Sequence, residues 1–504
     1  MTTDTLDWIA KWADYTPDKI AVTSYDSEER YTYSQLDIYA NRLVEKFESF
    51  GLQEGDRIAV LAEHSLHYIV LLSACQRSGI IIVPLNYRLS ISDLNALFID
   101  SNPALLLYSE TQKHKLEQLS VSLPRTIHLD RIKLYYQNEV VVKPRLSQIK
   151  EKNPIFIFYT SGTTGQPKGV IYTNKMMFWN SLNTSMQLGI TFRDSTINTL
   201  PPYHTSGWNI FLTPLLHKGA HIGMVEKFDA ERVLCLLELN RTTLFMALPT
   251  MLAMMQKTEV FSRVNLDHLR FIISGGETVS PNLLKYWKEK KDIAIRPGYG
   301  LTEAGPSITS LHHNIAMSKP DSIGKPNFYL KTKIVTSEGR KARINEVGEF
   351  CIKGDIVTSG YWNNSTETNN KIKNGWLHTG DLVMKDKDGF LFLKGRKDDM
   401  YISGGENIHP QEITNKILAC NSVVKATVLS VEDQVWGQCG AAFVVLKKGK
   451  TIDDVKAFID KNMISFKRPK HIIVLDDIPL TSVGKISRKK LIKYYNDYKA
   501  KLQS

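Results

Sequence analysis

The chain has 504 residues, 42% of them hydrophobic, which is enough for two to four domains with true apolar cores. Its formal charge of +12 suits polyanionic ligands or an anionic membrane surface, but the basic residues are dispersed and form no nucleic-acid-binding motif, so we expect no nucleic-acid partner. With no signal-peptide pattern, no long apolar segment and five cysteines lacking C-x-x-C spacing, the sequence predicts a cytoplasmic protein with reduced thiols.

The N-terminal part alternates between strand and helix patterns. Residues 34–50 carry an apolar stripe at helical spacing, with Ser34 as the expected N-cap and Gly51 as the stop. Residues 58–61, 68–75 and 80–83 read as strand, helix and strand, and residues 105–108 repeat the strand pattern. This order favours an α/β fold with parallel, doubly wound sheets.

A loop rich in glycine and hydroxyl residues follows the apolar strand predicted at residues 155–158. Residues 159–170 read Y-T-S-G-T-T-G-Q-P-K-G-V, and such a backbone can direct successive N–H groups and hydroxyls at phosphate oxygens, with Lys168 adding charge. A Walker A loop is excluded, because Pro167 and Gly169 stand where that motif needs Gly and Ser or Thr. A flexible surface loop is the alternative. The candidate phosphate ligands are Thr160, Ser161, Gly162, Thr163, Thr164, Gly165 and Lys168.

Six further motifs follow in order. Residues 272–277 read as a strand that ends in a glycine turn. Residues 395–400 form a charge cluster that is followed by a glycine pair, and this indicates a boundary between domains. Beyond it, the pattern predicts helices at 410–419 and 452–463 and strands at 423–431 and 441–446. The remaining motifs span residues 201–208, 299–303, 360–381 and 479–488.

Together these motifs resemble the adenylate-forming superfamily, which includes acyl-CoA synthetases, adenylation domains of peptide synthetases and firefly luciferases. The resemblance covers nearly the whole chain. It implies a large N-terminal domain of doubly wound sheets, residues 1–397, that binds ATP and the acid. A small, mobile α+β C-terminal domain, residues 398–504, would carry the catalytic lysine.

The resemblance also implies a nucleotide site. Gly275, Gly276 and Glu277 would edge the adenine, and Tyr299 would stack on it. Asp381 would bind the ribose, since a carboxylate can accept hydrogen bonds from both hydroxyls, although a turn aspartate is the alternative. Arg396 would contact the nucleotide, and Thr302 would lie at the α-phosphate with a catalytic role. Thr160 and Glu303 would be Mg²⁺ ligands.

The acid would bind beside residues 201–208. The resemblance assigns His204 to substrate and catalysis, Trp208 to a gate and Gly300 to the substrate. Amino-acid-activating domains usually have Asp at the position of His204, so its absence indicates an acid without an α-amino group. The alternatives are a structural histidine and, for Trp208, a buried stripe with Phe211, Leu212 and Leu215.

In the C-terminal domain, the resemblance makes Asp398 the hinge, lets Gly404 and Gly405 line the pantetheine tunnel, and makes Lys485 the catalytic ammonium. A solvated lysine in a basic tail is the alternative for Lys485. The sequence departs from the family at Tyr401, where Ile is frequent, and near Leu480, where Arg is usual.

The predicted function is that of an AMP-forming acyl-CoA synthetase, an acid–thiol ligase that uses ATP, Mg²⁺ and CoA. A medium- or long-chain fatty acid is the expected substrate. Alternatives are an aryl-acid or o-succinylbenzoate-type CoA ligase, an adenylation enzyme that loads a carrier protein, and a non-catalytic nucleotide-binding regulator. The charge is also compatible with peripheral membrane contact, and a homo-oligomer is allowed.

Overall fold

The fold is given by a computed structural model that describes residues 3–137, 149–161, 167–276, 279–319, 321–403, 406–480 and 486–503. The helices are α1 Thr3–Leu6, α2 Trp8–Tyr15, α3 Tyr33–Ser49, α4 His67–Ser78, α5 Ile91–Ser101, α6 Lys113–Leu116, α7 Ile132–Tyr136, α8 Asn174–Leu188, α9 Ser206–Asn209, α10 Leu212–His217, α11 Ala230–Leu239, α12 Pro249–Met255, α13 Glu259–Arg263, α14 Pro281–Lys291, α15 His313–Ala316, α16 Ser365–Lys371, α17 Pro410–Leu418, α18 Ile452–Asn462 and α19 Arg488–Gln503.

The strands are β1 Ile20–Ser24, β2 Arg30–Thr32, β3 Arg57–Leu61, β4 Ile81–Pro84, β5 Leu105–Tyr108, β6 Arg125–His128, β7 Pro154–Ser161, β8 Pro167–Thr173, β9 Ser195–Asn198, β10 His221–Met224, β11 Leu244–Met246, β12 Phe271–Ser274, β13 Ile295–Tyr299, β14 Thr309–Ser310, β15 Ser322–Pro326, β16 Lys331–Val335, β17 Val347–Lys353, β18 Ile372–Lys373, β19 Trp376–Lys385, β20 Leu391–Arg396, β21 Tyr401–Ser403, β22 Glu406–Ile408, β23 Val423–Asp433, β24 Gly437–Leu446 and β25 His471–Val474.

One sheet of the N-terminal domain has the order β6-β5-β3-β4-β7-β8. Its first five strands are parallel, and β8 returns antiparallel to β7. The side chains of residues 58–61 and 155–158 are buried, as expected for strands covered on both faces. The pairing of β7 with β8 therefore brings Ser161 and Pro167, the residues on either side of the predicted phosphate loop's undescribed part, opposite each other at the end of the sheet.

The second sheet has the order β16-β17-β19-β20-β15-β14-β13-β12-β11-β9-β10-β1-β2, and β18 pairs with β19. Neighbouring strands from β1 through β10, β9, β11 and β12 to β13 are parallel, whereas those from β13 to β16 are antiparallel. The strand pairing thus changes from parallel to antiparallel at β13, which ends at Tyr299. The predicted nucleotide residues lie on both sides of this change.

Helix α3 confirms the predicted helix but corrects its start. Its N-cap is Thr32 rather than Ser34, because the Thr32 side chain accepts from the Gln35 amide while the Gln35 side chain accepts from the Thr32 amide. This reciprocal capping box fixes the first turn. The helix ends at Ser49, and Gly51 follows with a φ of +81°.

The C-terminal domain forms a separate sheet in the order β22-β21-β24-β23, with β25 parallel to β24. Its core includes Tyr401, Ile408, Ile413 and Val444, packed beneath α17 and α18. Tyr401, the departure from the family pattern, is thus a core residue that is 3% exposed. The predicted α/β architecture, with a large sheet domain followed by a small domain, is confirmed.

All five cysteines are free thiols, as predicted, and all except Cys235 are buried. Within the ranges that the structure describes, no helix combines the length and the apolar character needed to cross a membrane.

Candidate active site

The hairpin of β7 and β8 holds the described part of the predicted phosphate loop, and is called the phosphate hairpin below. Thr160 lies opposite Lys168, and its Oγ1 is 3.5 Å from the Lys168 carbonyl oxygen. The Lys168 ammonium is 2.8 Å from a carboxylate oxygen of Glu367, and both side chains are less than one-fifth exposed. Glu367, which the sequence did not single out, therefore anchors the lysine. Gly162, Thr163, Thr164 and Gly165 lie outside the described residues, as does the side chain of Ser161.

Three of the predicted nucleotide residues come together at the end of β13. The Tyr299 hydroxyl donates to Asp381 at 2.6 Å, and Arg396 Nε lies 3.3 Å from the other oxygen of that carboxylate. Asp381 and Arg396 are neighbours across β19 and β20. Burial raises the pKa of Asp381, and the charge of Glu303 adds to this, while Tyr299 and Arg396 oppose it. The group is polar and only partly buried, since the Asp381 side chain is 15% exposed and that of Arg396 is 48% exposed.

Glu303 is held by Tyr361, a residue to which the sequence gave no role. The Tyr361 hydroxyl donates to Glu303 Oε1 at 2.8 Å, and the Thr358 amide donates to the Glu303 carbonyl oxygen at 2.8 Å. Tyr361 also forms a bridge with Val170 of β8. Burial, followed by the charge of Glu303, raises the pKa of Tyr361. A carboxylate fixed beside the phosphate hairpin is a suitable hard-oxygen ligand for Mg²⁺.

The turn after β12 is built for close backbone approach. A Cβ on Gly275 would lie 2.8 Å from the carbonyl oxygen of Gly298 on β13, and Gly276 has a φ of +82°. Both positions therefore need glycine. Glu277, the third residue of the predicted adenine edge, lies outside the described residues.

Gly300→Ala should disrupt this site. A Cβ there would lie 1.6 Å from the Pro306 carbonyl oxygen, so the loop from Tyr299 to Thr302 would have to move. We expect the KM for ATP to rise by about tenfold or more, since an ångström-scale misplacement can cost far more than that. Steady-state kinetics would measure the change. Gly298→Ala is the matched control, because its Cβ would lie 3.6 Å from the nearest atom. Equal effects of the two changes would contradict a steric origin.

Trp208 lies in the core. Its side chain is fully buried, its Nε1 donates to the Pro202 carbonyl oxygen at 2.7 Å, and its ring is centred 4.7 Å from that of Phe156. Phe211, Leu212 and Leu215 are buried as well, which is the stripe that the sequence offered as the alternative to a gate. His204 is only partly buried, next to Tyr203 at 4.7 Å between ring centres. Substrate roles for both residues stay predictions.

The predicted hinge, Asp398, lies in a short 3₁₀ turn, Lys397–Asp399. Arg488 at the start of α19 is 2.9 Å from Asp399, so this turn is tied to the C-terminal helix. Gly404, Gly405 and Lys485 lie outside the described residues, and their assignments stay predictions, as does the domain boundary at residue 397.

The two-domain α/β fold and the polar group at the end of β13 fit the predicted class of nucleotide-binding enzyme. The family models agree: residues 9–362 match the AMP-binding enzyme family and residues 412–485 match the AMP-binding enzyme C-terminal domain. The chain belongs to the AMP-binding enzyme family.

Relatives match along the whole chain. It is 30% identical to a 2-succinylbenzoate–CoA ligase of Oceanobacillus iheyensis, covering 98% of this chain and 100% of the relative. It is 28% identical to a long-chain-fatty-acid–CoA ligase of Mycobacterium tuberculosis, covering 93% and 94%. The o-succinylbenzoate coenzyme A synthetase of Bacillus subtilis, solved in complex with ATP and magnesium ion, superposes with a TM-score of 0.85 at 29% identity, covering 96% and 99%. The predicted class, an adenylate-forming acid–thiol ligase, is confirmed.

Proposed function

We propose that this protein is an ATP-dependent acid–CoA ligase that acts in two half-reactions. In the first, the carboxylate of the acid attacks the α-phosphate of ATP, forming an acyl-adenylate and releasing pyrophosphate. In the second, the thiol of CoA attacks the acyl carbonyl carbon and AMP leaves. The observation that carries the proposal is the mutual contact of Tyr299, Asp381 and Arg396 at the end of β13. It is joined by the Glu303–Tyr361 pair, which lies beside β8 through the bridge between Tyr361 and Val170.

The residues have distinct roles in this proposal. Asp381 accepts hydrogen bonds from the ribose hydroxyls, while Arg396 and Tyr299 hold its carboxylate in place. Glu303 and Thr160 would hold Mg²⁺, which neutralises phosphate charge when bound. Lys485 stabilises the negative charge that builds up as the carboxylate attacks. Rotation of the small domain about Asp398 would then withdraw Lys485 and admit CoA. The reaction needs no enzyme nucleophile.

The substrate is proposed to be a carboxylic acid without an α-amino group, because His204 stands where an aspartate would neutralise an ammonium. A medium- or long-chain fatty acid is the first candidate class, and the relative from Mycobacterium tuberculosis supports it. An aryl acid of the o-succinylbenzoate type is the second, and the relative from Oceanobacillus iheyensis supports that. The predicted cytoplasmic location, membrane-surface contact and homo-oligomer stay predictions.

A substrate panel tests the proposal. Purified protein is incubated with ATP, Mg²⁺, CoA and one acid at a time, covering fatty acids of graded length, aryl acids and amino acids, and thioesters are detected by mass spectrometry. We expect thioester and AMP from a fatty or aryl acid and none from amino acids. A protein that forms no thioester with any acid of the panel would refute the assignment.

Glu303→Gln should raise the Mg²⁺ concentration needed for half-maximal activity by about tenfold or more, because a neutral amide loses the charge that holds a hard cation. Initial rates at graded Mg²⁺ concentrations would measure this. Glu289→Gln is the control, since Glu289 is an exposed residue of α14. An unchanged Mg²⁺ dependence in Glu303→Gln would exclude Glu303 as a ligand.

A further inference from the structure

A glutamate, a cysteine and a histidine converge between β17 and β19, the strand that also carries Asp381. Glu349 and Cys351 lie on β17, and His378 lies opposite Cys351 on β19. The register between the strands shifts between Glu349 and Cys351, so residues 379–381 bulge and the three side chains meet. Their ligand atoms all lie within 4.8 Å of one another.

Two of the three distances within this cluster match those of a tetrahedral metal site. Cys351 Sγ is 3.5 Å from His378 Nδ1, and Glu349 Oε2 is 3.2 Å from the same nitrogen. In tetrahedral zinc sites, Zn–S bonds of about 2.3 Å and Zn–N and Zn–O bonds of about 2.0 Å separate the ligand atoms by roughly 3.3–3.6 Å. The histidine nitrogen therefore already stands at ligand spacing from both the thiol and the carboxylate.

A hydrogen-bonded relay explains the positions of these three side chains less well than a metal site does. In a Cys–His–Glu relay the thiol and the carboxylate would contact opposite ring nitrogens of the histidine. Here both approach Nδ1, so the arrangement is not that of a relay. The Cys351 thiol also lies 3.8 Å from the Glu349 carbonyl oxygen, to which it can donate. A cation between the three atoms would bond to all of them.

The surroundings allow a metal to enter. Cys351 is fully buried, but the His378 and Glu349 side chains are 23% and 15% exposed, so the cluster opens to solvent on one side. Burial, and then the charge of Glu349, raises the pKa of the Cys351 thiol to about 11. A metal would have to displace this proton and also the Lys397 ammonium, which lies 3.6 Å from Glu349 Oε2.

We propose that Glu349, Cys351 and His378 form a site for a soft divalent transition metal such as Zn²⁺, with water in the fourth position. Three protein ligands of mixed N, S and O type suit Zn²⁺ and disfavour Mg²⁺, which prefers oxygen. The site uses different residues from the Mg²⁺ ligands proposed above, so its metal binding can be measured without a ligase assay.

Cobalt substitution tests the site without any activity assay. Co²⁺ is titrated into the purified, reduced full chain while the absorption spectrum is recorded. We expect one equivalent to produce visible bands of tetrahedral cobalt together with a thiolate-to-cobalt charge-transfer band, and Zn²⁺ to displace it. Cys351→Ala should abolish the charge-transfer band, and Cys235→Ala, which removes the exposed cysteine, should leave it unchanged.

A second variant keeps the test valid if Cys351→Ala fails to fold. If Cys351→Ala melts far below the parent protein, His378→Gln carries the test, since it keeps the thiol and alters the partly exposed ligand. We expect His378→Gln to weaken Co²⁺ binding by about tenfold or more, the usual minimum for loss of a group that supports a metal site. A thiolate band that persists in Cys351→Ala, or that never forms in the parent protein, would overturn the proposal.

Discussion

Lys485→Ala should lower the rate of acyl-adenylate formation by about a hundredfold or more, because it removes a transition-state interaction of roughly 3 kcal/mol. The ammonium is expected to stabilise charge only while the carboxylate attacks ATP, so ATP binding should change little. Single-turnover formation of the acyl-adenylate, measured without CoA, would give the rate. Equilibrium titration with ATP would give the affinity.

The second half-reaction provides the control for Lys485. Thioester formation from supplied acyl-adenylate and CoA should persist in Lys485→Ala, because the lysine is proposed to have left the site by then. Lys489→Ala, which changes an exposed lysine of α19 four residues away, should leave both steps intact. Normal adenylation in Lys485→Ala would indicate that Lys485 is a solvated surface lysine without a catalytic role. Equal damage to both steps would indicate a misfolded small domain.

Trp208→Ala should reduce the free energy of unfolding by about 3–5 kcal/mol, the range found when a large buried aromatic side chain is truncated. The ring is fully buried against Phe156 and Tyr68, and its loss would also leave the Pro202 carbonyl oxygen without its donor. Denaturant unfolding would measure the change. Trp436→Ala is the control, because Trp436 is 55% exposed, and it should cost far less.

The same variant separates the core role of Trp208 from the predicted gate. A gate should alter the preference among acyl lengths more than it alters ATP affinity, whereas a core residue should affect all acids alike. The relative rates with short and long acids, measured below the melting temperature of Trp208→Ala, decide between them. A loss of stability below about 1 kcal/mol would contradict the core role, since buried truncations of this size cost more.

Much of the fold was predictable because its strands are buried on both faces. The parallel strands at residues 58–61, 105–108 and 155–158 appear as uninterrupted apolar runs, and the structure places each of them in β3, β5 or β7. The start of α3 was not predictable from the hydroxyl residues alone. Thr32 and Ser34 are both acceptable caps, and the reciprocal bond with Gln35 decides between them.

The partners within the site were harder to predict than the residues themselves. Tyr299, Asp381 and Arg396 belong to motifs that the sequence identified, and the structure brings them into contact. Glu367 and Tyr361 were missed as partners of Lys168 and Glu303, because the pairs are separated by 199 and 58 residues in the chain. Sequence periodicity is local, so it does not report such pairs.

Isotope exchange between pyrophosphate and ATP, measured without CoA, tests whether the acid is activated as an acyl-adenylate. If the first half-reaction forms an acyl-adenylate reversibly, the acid that yields a CoA thioester in the panel should support exchange of labelled pyrophosphate into ATP in the absence of CoA. Exchange should require both that acid and Mg²⁺. A thioester that forms with CoA while the same acid supports no exchange would contradict an adenylate intermediate and the account of the site built on it.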